Sequence, residues 1–381
     1  MGRRLKVLQL QTRYNAADTN SDLGVQILNG LPASDFDVVN GYLEGCPADG
    51  TPDVPWREQY FNFSSKQMSG MRLGVRRRLI DYCREEQFDV VLLHRFKAVS
   101  LFMHINRTLK VPLCIGVSHG FGEYDRFYRR WQARRLIDGH WRFVGVSPAV
   151  REYLLALRCG FTSANTVAIT NAIDIALAES HQLDRESARD ALGLPTGSTI
   201  IGAIGRLVPV KGHIHLIRAF SRVAGDYPGA NLAIIGGGRE EDALSAEIQT
   251  LGLADRVVLC GTVPDAMRYV RAFDFFVMPS LQEGLGLALL EGMCGHLPVM
   301  GSDIPAMRPL LAGAGGISFP PGDEAAIARA LNTYLAMGSE TRFALGERAY
   351  TYLRREHDID NYRRKYRQLI CGTWKEEPVS D

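Results

Sequence analysis

The sequence predicts an α/β protein built from two Rossmann-like, doubly wound domains that face a central cleft. A chain of 381 residues is long for a single hydrophobic core, so two domains are expected. Short β-branched runs alternate with longer helical patterns, as in parallel sheets whose strands are connected by helices. The alternation begins again after a polar, helical segment that ends in Pro195 and Gly197, which places a domain junction near residue 176.

The first predicted domain, residues 1–176, contains several candidate strands. They are apolar on both faces, which is typical of strands buried in a parallel sheet: LKVLQL, FDVVNGYL, FDVVLLH, VPLCIGVSHG, RFVGVS and TVAITNAID. Helical patterns such as MRLGVRRRLIDYCREEQ and AVSLFMHINRTL lie between several of them.

The second predicted domain, residues 177–356, repeats this order. Its candidate strands are TIIGAIGR, ANLAIIGGG, RVVLCG, DFFVMPS and LPVMGS. The segment 357–381 is charged and aromatic, and we expect it to form a helix that packs back on the first domain. Ligands of such sheets bind beyond the carboxyl ends of the strands, so the cleft is the expected ligand site.

The composition fits a soluble globular protein, with 46% hydrophobic and 23% charged residues and a formal net charge of +2. The first half is net positive and the second net negative, which argues against the second half as a nucleic-acid platform. The seven cysteines are dispersed without a C-x-x-C pair, which predicts buried free thiols. No signal-like or membrane-spanning run occurs, so we expect a cytoplasmic protein, at most peripheral on the inner face of the cytoplasmic membrane.

The stretch GAIGRLVPVKGH has the features of a diphosphate site. It leaves a strand at Gly205 and brings Arg206 and Lys211 to the entrance of a helix. Two permanent cations beside free backbone N–H groups suit a diphosphate, although both could also be surface charges flanking a turn. The spacing does not match G-x-G-x-x-G, so a nicotinamide fingerprint is a poor fit.

A second glycine-rich strand end, IIGGGREED, contains Gly236 and Gly237. Glycines at this position allow close approach of a ligand or of a neighbouring loop. The sequence leaves a tight turn and a ligand loop as equal alternatives.

Two glutamates eight positions apart lie in SLQEGLGLALLE. Glu283 precedes a glycine-containing turn, whereas Glu291 lies within the helix that follows. The helical rise separates them by about 12 Å, which exceeds the roughly 5–9.5 Å between paired glycosidase carboxylates. Two contacts with different parts of one long ligand fit better than an acid/base pair, although Glu291 could also be a solvated helix charge.

Five motifs of the second half together resemble the nucleotide-sugar domain of the family 4 retaining glycosyltransferases, which have the GT-B fold. They are GRLVPVKG, LAIIGGG, VVLCGTV, DFFVMPSLQEGLGLALLEGM and LPVMGSDIPAMRPLL. In the first half, SHGF, FVGVSPAVREYLL and VAITNAIDIALA are also similar to that family's pattern. The chain is similar to bacterial enzymes of this family that build the envelope or the lipopolysaccharide core. The resemblance implies an N-terminal acceptor domain and a C-terminal nucleotide-sugar donor domain.

The resemblance also implies a role for each matching residue. His119, in SHG, and Glu283 would contact the donor sugar near the reacting carbon, and Glu291 would bind the ribose. Arg206 and Lys211 would hold the diphosphate, while Thr262 and Val263 would meet the base. The implied donor-binding residues are Gly205, Arg206, Lys211, Gly236, Gly237, Thr262, Val263, Glu283, Gly284, Leu285, Gly286, Leu287 and Glu291.

The first βα loop departs from the family pattern. In place of the usual Gly-Gly pair it contains Asn20, Ser21 and Asp22. Asp22 could bind acceptor hydroxyls or cap the following helix. The two D-x-D pairs begin a strand and a terminal helix, so neither predicts a metal site, and we expect no metal and no cofactor besides the donor substrate.

The expected activity is hexosyl transfer with retention, UDP-sugars being the favoured donors and a glycan or glycolipid the acceptor. Basic and aromatic helical stretches fit an anionic membrane surface or a phosphorylated acceptor, or else are solvated helix faces; their arginines are Arg76, Arg77, Arg78, Arg129, Arg130, Arg134 and Arg135. The alternatives are a sugar-nucleotide epimerase or hydrolase, a phosphorylase on the same fold, and a non-catalytic nucleotide-sugar sensor. No nucleic-acid partner is expected.

Overall fold

The computed structural model describes residues 3–14, 22–47 and 53–374 and divides into two units. The first unit comprises Met1–Asn171 and Asp360–Asp381, and the second is Ala172–Ile359. The boundaries expected from the sequence, at 176/177 and 356/357, lie close to these two crossings.

The first unit contains a seven-stranded sheet in the order β3-β2-β1-β4-β5-β6-β7. All of its strand pairs are parallel. The strands are β1 (Leu5–Arg13), β2 (Phe36–Glu44), β3 (Arg57–Tyr60), β4 (Val90–His94), β5 (Leu113–Ser118), β6 (Trp141–Gly145) and β7 (Thr166–Ala168). The helices are α1 (Leu23–Asn29), α2 (Leu73–Glu86), α3 (Arg95–Leu109), α4 (Phe127–Leu136), α5 (Pro148–Ala156) and the final helix of the chain, Ile359–Ile370.

The second unit contains a six-stranded parallel sheet in the order β10-β9-β8-β11-β12-β13. Its strands are β8 (Thr199–Ile204), β9 (Ala230–Ile235), β10 (Val257–Leu259), β11 (Phe275–Met278), β12 (Val299–Ser302) and β13 (Ile317–Phe319). Its helices are α6 (Ile175–His181), α7 (Arg185–Ala191), α8 (His213–Ser221), α9 (Glu241–Thr250), α10 (Leu287–Cys294), α11 (Arg308–Ala314), α12 (Glu324–Leu335) and α13 (Ser339–Glu356), and the helix Ile359–Ile370 is therefore α14.

Both sheets are buried on their two faces, which explains why the strands are almost continuously apolar. In the second unit, one core cluster includes Phe273 and Phe276, and another includes Phe220 and Phe275. Phe275 and Phe276 are neighbours in β11 that point to opposite faces, as the two-residue period of a strand requires. The strand order reverses between β1 and β4 and between β8 and β11, and these reversals are where such sheets form a crevice for ligands.

The terminal helix α14 packs against α1 within the first unit. The Tyr362 hydroxyl donates to the Leu23 carbonyl at 3.3 Å, and the Arg363 guanidinium donates to Gln26. Tyr362 and Tyr366 are both buried, so this helix completes the core of the first unit.

All seven cysteines are unpaired. Cys83, Cys114, Cys159 and Cys294 are buried, whereas Cys46 and Cys371 are exposed, so the prediction of buried thiols is wrong for those two. None of the helices in the described ranges has the length and apolar character that a bilayer crossing requires.

Candidate active site

Four loops interlock at the carboxyl edge of the second unit's sheet. The Leu207 amide donates to the Gly237 carbonyl at 2.9 Å, which joins the loops after β8 and β9. The Gly236 amide donates to the Gly261 carbonyl at 2.8 Å, and this bond adds the loop after β10. The Leu281 amide donates to the Val210 carbonyl at 2.8 Å, so the loop after β11 is held against the loop after β8.

The glycines in IIGGG are required by this close packing. A Cβ on Gly236 would lie 2.0 Å from the Gly205 carbonyl oxygen, and its φ is +145°. A Cβ on Gly237 would lie 2.4 Å from the Thr262 hydroxyl. Since both positions exclude a side chain, the loops form a continuous backbone surface beside the crevice between β8 and β11.

Arg206 and Lys211 stand at the two ends of the loop that follows β8. Arg206 is exposed, and its guanidinium has no ionic or hydrogen-bonding partner within the described ranges. Lys211 ends a short 3-10 turn, Pro209–Lys211, and its Nζ donates to Glu283 Oε1 at 2.6 Å. The loop therefore carries one unpaired cation and one cation that is already paired with a glutamate.

Glu283 is fixed by two donors in the loop after β11. Its Oε1 accepts from Lys211 and, at 2.7 Å, from the hydroxyl of the buried Ser280. The following turn passes through Gly284 and the buried Leu285 to Gly286, whose φ is +106°. Helix α10 then begins at Leu287, and the first amides of a helix have no partner within it.

Glu291 lies in the second turn of α10, and its side chain is half-buried. Burial raises the pKa of Glu291 to about 7, the charge of Lys211 opposes this rise, and the charge of Asp265 adds to it. Its carboxylate has no hydrogen-bonding or ionic partner among the residues described here. The charge of Lys211 affects Glu291, and Lys211 is paired with Glu283. These three predicted donor-binding residues are therefore near one another.

Thr262 and Val263 lie in the loop that follows β10. Thr262 is exposed beside Gly237, and Val263 is half-buried against the apolar core of the second unit. Thr262 is thus next to the glycine loop at the β10 side of the sheet.

His119 lies at the carboxyl edge of the first unit's sheet, directly after β5. Its Nε2 is 3.1 Å from Nδ1 of His94, a residue that sequence reasoning missed. Burial lowers the pKa of His119 well below its usual value, and the neighbouring His94 and Arg95 add to this effect. His119 is therefore neutral near pH 7, able to donate one hydrogen bond and accept another.

Glu123 is a further missed residue at this edge. Its Oε1 accepts from the His119 amide at 3.3 Å. Burial raises the pKa of Glu123 to about 7, against the opposing hydrogen bonds from the His119 amide and Ser118. The signal in the sequence was an acid four residues after the histidine in SHGFGE.

The first βα loop lies only partly in the described ranges, and Asn20 and Ser21 lie outside them. Asp22 caps α1, because its Oδ1 accepts from the Gly24 amide at 2.7 Å. Its Oδ2 accepts from Gln11 Nε2 at 3.0 Å. Of the two roles considered for Asp22, helix capping is the one observed, and both of its oxygens are engaged.

The predicted arginine patch divides into anchored and free side chains. Arg78 donates to the Phe61 carbonyl at 3.2 Å, and Arg129 donates to the Glu123 carbonyl at 2.7 Å. The Arg77 and Arg130 side chains have no partner in the part of the chain that is described. The remaining members are Arg76, which is half-buried, Arg134, which donates to the Arg158 carbonyl, and Arg135, which lies 5.4 Å from the Trp131 ring.

Exposed apolar side chains lie among these arginines. Met71 and Leu73 stand at the start of α2 with 74% and 64% of their surface exposed. Phe127, Tyr128 and Trp131 of α4 are also exposed. We call these five residues the apolar patch. Burial and the charge of Arg76 lower the pKa of Arg72, which lies between Met71 and Leu73 in the sequence, and Tyr128 opposes this effect.

Metal-binding side chains are not clustered in the described residues. Within those ranges, no group of three or more His, Cys, Asp or Glu side chains is arranged to hold a metal ion.

Two family models match consecutive parts of the chain. The family described as Glycosyltransferase Family 4 matches residues 25–177, and the family described as Glycosyl transferases group 1 matches residues 184–352. Between them they cover most of both units.

Curated relatives match this chain over only part of their own length. The chain is 34% identical to 2-deoxystreptamine N-acetyl-D-glucosaminyltransferase of Streptomyces fradiae over 37% of the chain and 34% of that protein. It is 31% identical to the lipopolysaccharide core biosynthesis mannosyltransferase LpcC of Rhizobium leguminosarum bv. viciae over 49% of the chain and 54% of that protein. The matched part of the chain thus spans between a third and about half the length of these relatives.

A solved structure matches over nearly the whole length. HepE of Anabaena in complex with UDP-glucose has a TM-score of 0.78 at 18% identity, with 97% of this chain and all of that chain covered. At this identity the similarity establishes the fold. With two parallel-sheet units and both family models in order along the sequence, the chain belongs to the family 4 glycosyltransferases and has the GT-B fold.

Proposed function

We propose that the protein transfers a hexose-type sugar, with retention, from a nucleoside diphosphate sugar to a hydroxyl of an envelope glycan or glycolipid. The observation that carries this proposal is the set of groups around the crevice between β8 and β11. Arg206, which has no partner within the described ranges, and the Lys211–Glu283 pair lie on the loops there, and the half-buried Glu291 follows them on α10.

Each group has a task suited to its chemistry. Arg206 and Lys211 bind the diphosphate and stabilise the charge that develops as it leaves, together with the first amides of α10. Glu291 accepts hydrogen bonds from the two ribose hydroxyls. Glu283, fixed by Ser280, contacts hydroxyls of the sugar, and His119 of the first unit accepts a hydrogen bond from another.

The negative charge on the leaving diphosphate is stabilised by Arg206, Lys211 and the amide dipoles at the start of α10, without a metal ion. As the bond to the diphosphate breaks, positive charge develops at the anomeric carbon. The acceptor hydroxyl attacks from the same face, and the departing phosphate oxygen takes its proton. The glycosidic bond then has the anomeric configuration of the donor.

The donor proposal is tested by thermal-shift and turnover measurements with UDP-, GDP- and ADP-sugars, with and without EDTA. UDP-sugars are expected to stabilise the protein and to be turned over slowly without an acceptor, because UDP-glucose is bound by the structural relative HepE. NMR of the transferred product should show the donor's anomeric configuration; an inverted anomer contradicts the mechanism. Interconversion of UDP-sugars would instead identify an epimerase, and binding without any turnover a sensor.

The acceptor proposal is supported by the lipopolysaccharide core enzymes among the relatives, LpcC and LpsE of Rhizobium meliloti. We further propose that the apolar patch and its arginines contact an anionic membrane surface. Apolar side chains insert at the headgroup level while cations bind anionic lipids, each contributing about 1 kcal/mol near the surface. Helix α4 suits this role, because it has four arginines and no acidic residue.

Vesicle flotation tests the membrane contact. The protein should float with vesicles that contain phosphatidylglycerol and not with pure phosphatidylcholine. The double variant Arg77→Glu/Arg130→Glu should lose flotation, whereas the control Arg329→Glu/Arg367→Glu, which reverses the same charge at exposed positions on α12 and α14, should retain it. Equal flotation of both variants contradicts the proposal, and binding to RNA in place of vesicles identifies another partner.

A further inference from the structure

A chain of side-chain hydrogen bonds crosses the sheet of the first unit. Asn40 Nδ2 donates to the Tyr42 hydroxyl at 2.8 Å, and Gln9 Nε2 donates to Asn40 Oδ1 at 3.1 Å. Gln9 Oε1 lies 3.2 Å from His94 Nε2, and His94 Nδ1 lies 3.1 Å from His119 Nε2. The chain thus runs from β2 through β1 and β4 to the end of β5, across the point where the strand order reverses.

This chain is buried and uncharged. Gln9 and Asn40 are completely inaccessible, and His94 is 7% exposed. Burial, aided by the charge of Arg95, lowers the pKa of His94 to about 4, so this ring is neutral near pH 7. A neutral imidazole has one N–H donor and one acceptor nitrogen. If one nitrogen of the ring donates, the other must accept, so the direction of donation is the same all along the chain; we call this direction its polarity.

Such a chain has two self-consistent polarities, because reversing both amides and both tautomers also satisfies every bond. The structure holds one of them. Asn40 turns its nitrogen to the Tyr42 hydroxyl and its oxygen to Gln9 Nε2. The Gln9 oxygen is therefore left facing His94 Nε2.

We propose that Asn40, Gln9 and His94 are positioning residues that fix His119 as the tautomer with its proton on Nε2. With the Asn40 oxygen facing Gln9, the Gln9 oxygen faces His94 and requires a proton on His94 Nε2. His94 Nδ1 is then an acceptor, and His119 Nε2 must donate to it. The proton-free Nδ1 of His119, which has no partner in the described ranges, is left as an acceptor at the carboxyl edge of the sheet.

The consequence for catalysis is that His119 accepts a hydrogen bond from a sugar hydroxyl and does not donate one. This consequence rests on the proposed function, whereas the tautomer assignment does not. The two are therefore tested by separate measurements.

Long-range ¹H–¹⁵N correlation spectra of histidine-labelled protein at pH 7 report the tautomers, with His94→Gln and His119→Gln variants for assignment. Both rings are expected to carry the proton on Nε2. In Gln9→Leu, the His94 Nε2 proton loses its acceptor, and a buried unsatisfied N–H is costly. His94 should then move its proton to Nδ1 and donate to His119, so both tautomers reverse.

The matched control is Gln11→Leu, which makes the same change two residues along β1 and breaks a bond to Asp22 outside this chain. It should leave both tautomers unchanged. An unchanged His119 tautomer in Gln9→Leu, or a reversed one in the wild type, overturns the proposal. In transfer assays Gln9→Leu should lower kcat by about 2- to 10-fold with the donor KM nearly unchanged, as expected for one neutral hydrogen bond. Wild-type kcat in a variant with reversed tautomers would remove His119 from the proposed mechanism and leave the tautomer assignment intact.

Discussion

Replacing Lys211 with methionine removes the cation that joins the loops after β8 and β11 while keeping most of the side-chain volume. In the free protein, Lys211 Nζ lies 2.6 Å from Glu283 Oε1, and the two side chains are only 18% and 14% exposed. In the proposed complex, the same ammonium group binds the donor diphosphate. The change should therefore weaken donor binding much more than it weakens folding.

The size of each effect follows from the contacts. A hydrogen bond to a charged group contributes about 1.5–3 kcal/mol, which corresponds to a loss of roughly 10- to 150-fold in kcat/KM for the donor. The loss in the free energy of unfolding should be near 1 kcal/mol, because Glu283 retains the Ser280 hydroxyl as a donor.

Lys6→Met is the matched control. Lys6 Nζ lies 2.5 Å from Glu86 with side-chain exposures of 23% and 19%, and Glu86 retains Arg57 as a second partner. Both variants should show similar thermal shifts, and only Lys211→Met should lose donor affinity in calorimetric titration with the nucleoside diphosphate sugar. Equal donor affinity in the two variants would refute the assignment of Lys211 to the diphosphate.

Three further predictions concern pH and packing. The donor KM should rise as the pH falls from 8 to 6, because Glu291, whose pKa is raised to about 7 by burial, becomes protonated and accepts hydroxyl hydrogen bonds less well; steady-state kinetics should show no such dependence in Glu291→Gln. Stability should fall between pH 6.5 and pH 4, because unfolded His94 takes up a proton in this range and the folded ring, with its pKa lowered to about 4 by burial, does not. The full shift corresponds to about 3 kcal/mol, of which about 2.4 kcal/mol falls between pH 7 and pH 4.5. Urea unfolding at these two pH values should show this loss of stability in the wild type, and the loss should be smaller by about 2.4 kcal/mol in His94→Gln. Gly236→Ala places a Cβ 2.0 Å from the Gly205 carbonyl oxygen and should lower both Tm and donor affinity; Gly252→Ala, with a φ of +66° but no atom within 4 Å, should cost only about 1–2 kcal/mol of backbone strain and leave donor affinity unchanged.

Features that depend on local sequence could be predicted. The strands of a buried parallel sheet are continuously apolar, so each strand could be recognised as an apolar run. The cations and glycines of the loop between β8 and α8 lie within one short stretch of sequence, so they could be recognised together. The E-x7-E pattern was enough to place Glu283 in a loop and Glu291 in the helix that follows, because α10 begins at Leu287. The donor-binding roles of the two glutamates stay a prediction.

Features that depend on strand register could not be predicted. Lys211 and Glu283 are 72 positions apart, and neither segment contains a pattern that predicts their ion pair. Gln9, Asn40 and His94 lie on three strands and become neighbours only through the registers of β1 with β2 and β4. The one signal of these residues in the sequence was that each is polar within an otherwise apolar strand. The role of Asp22 was likewise undecided until the position of the Gly24 amide was known.

The division of the chain has a consequence for the order of folding during synthesis. The second unit, Ala172–Ile359, is inserted between the two stretches that form the first, and its ends are joined by a β-bridge between Ile173 and Asp358. The ribosome therefore synthesises all of the second unit before it makes Tyr362 and Tyr366, which close the hydrophobic core of the first. Although most of the first unit comes first in the sequence, its core cannot be completed until the end of the chain has been made, and until then α1 lacks the helix that packs on it.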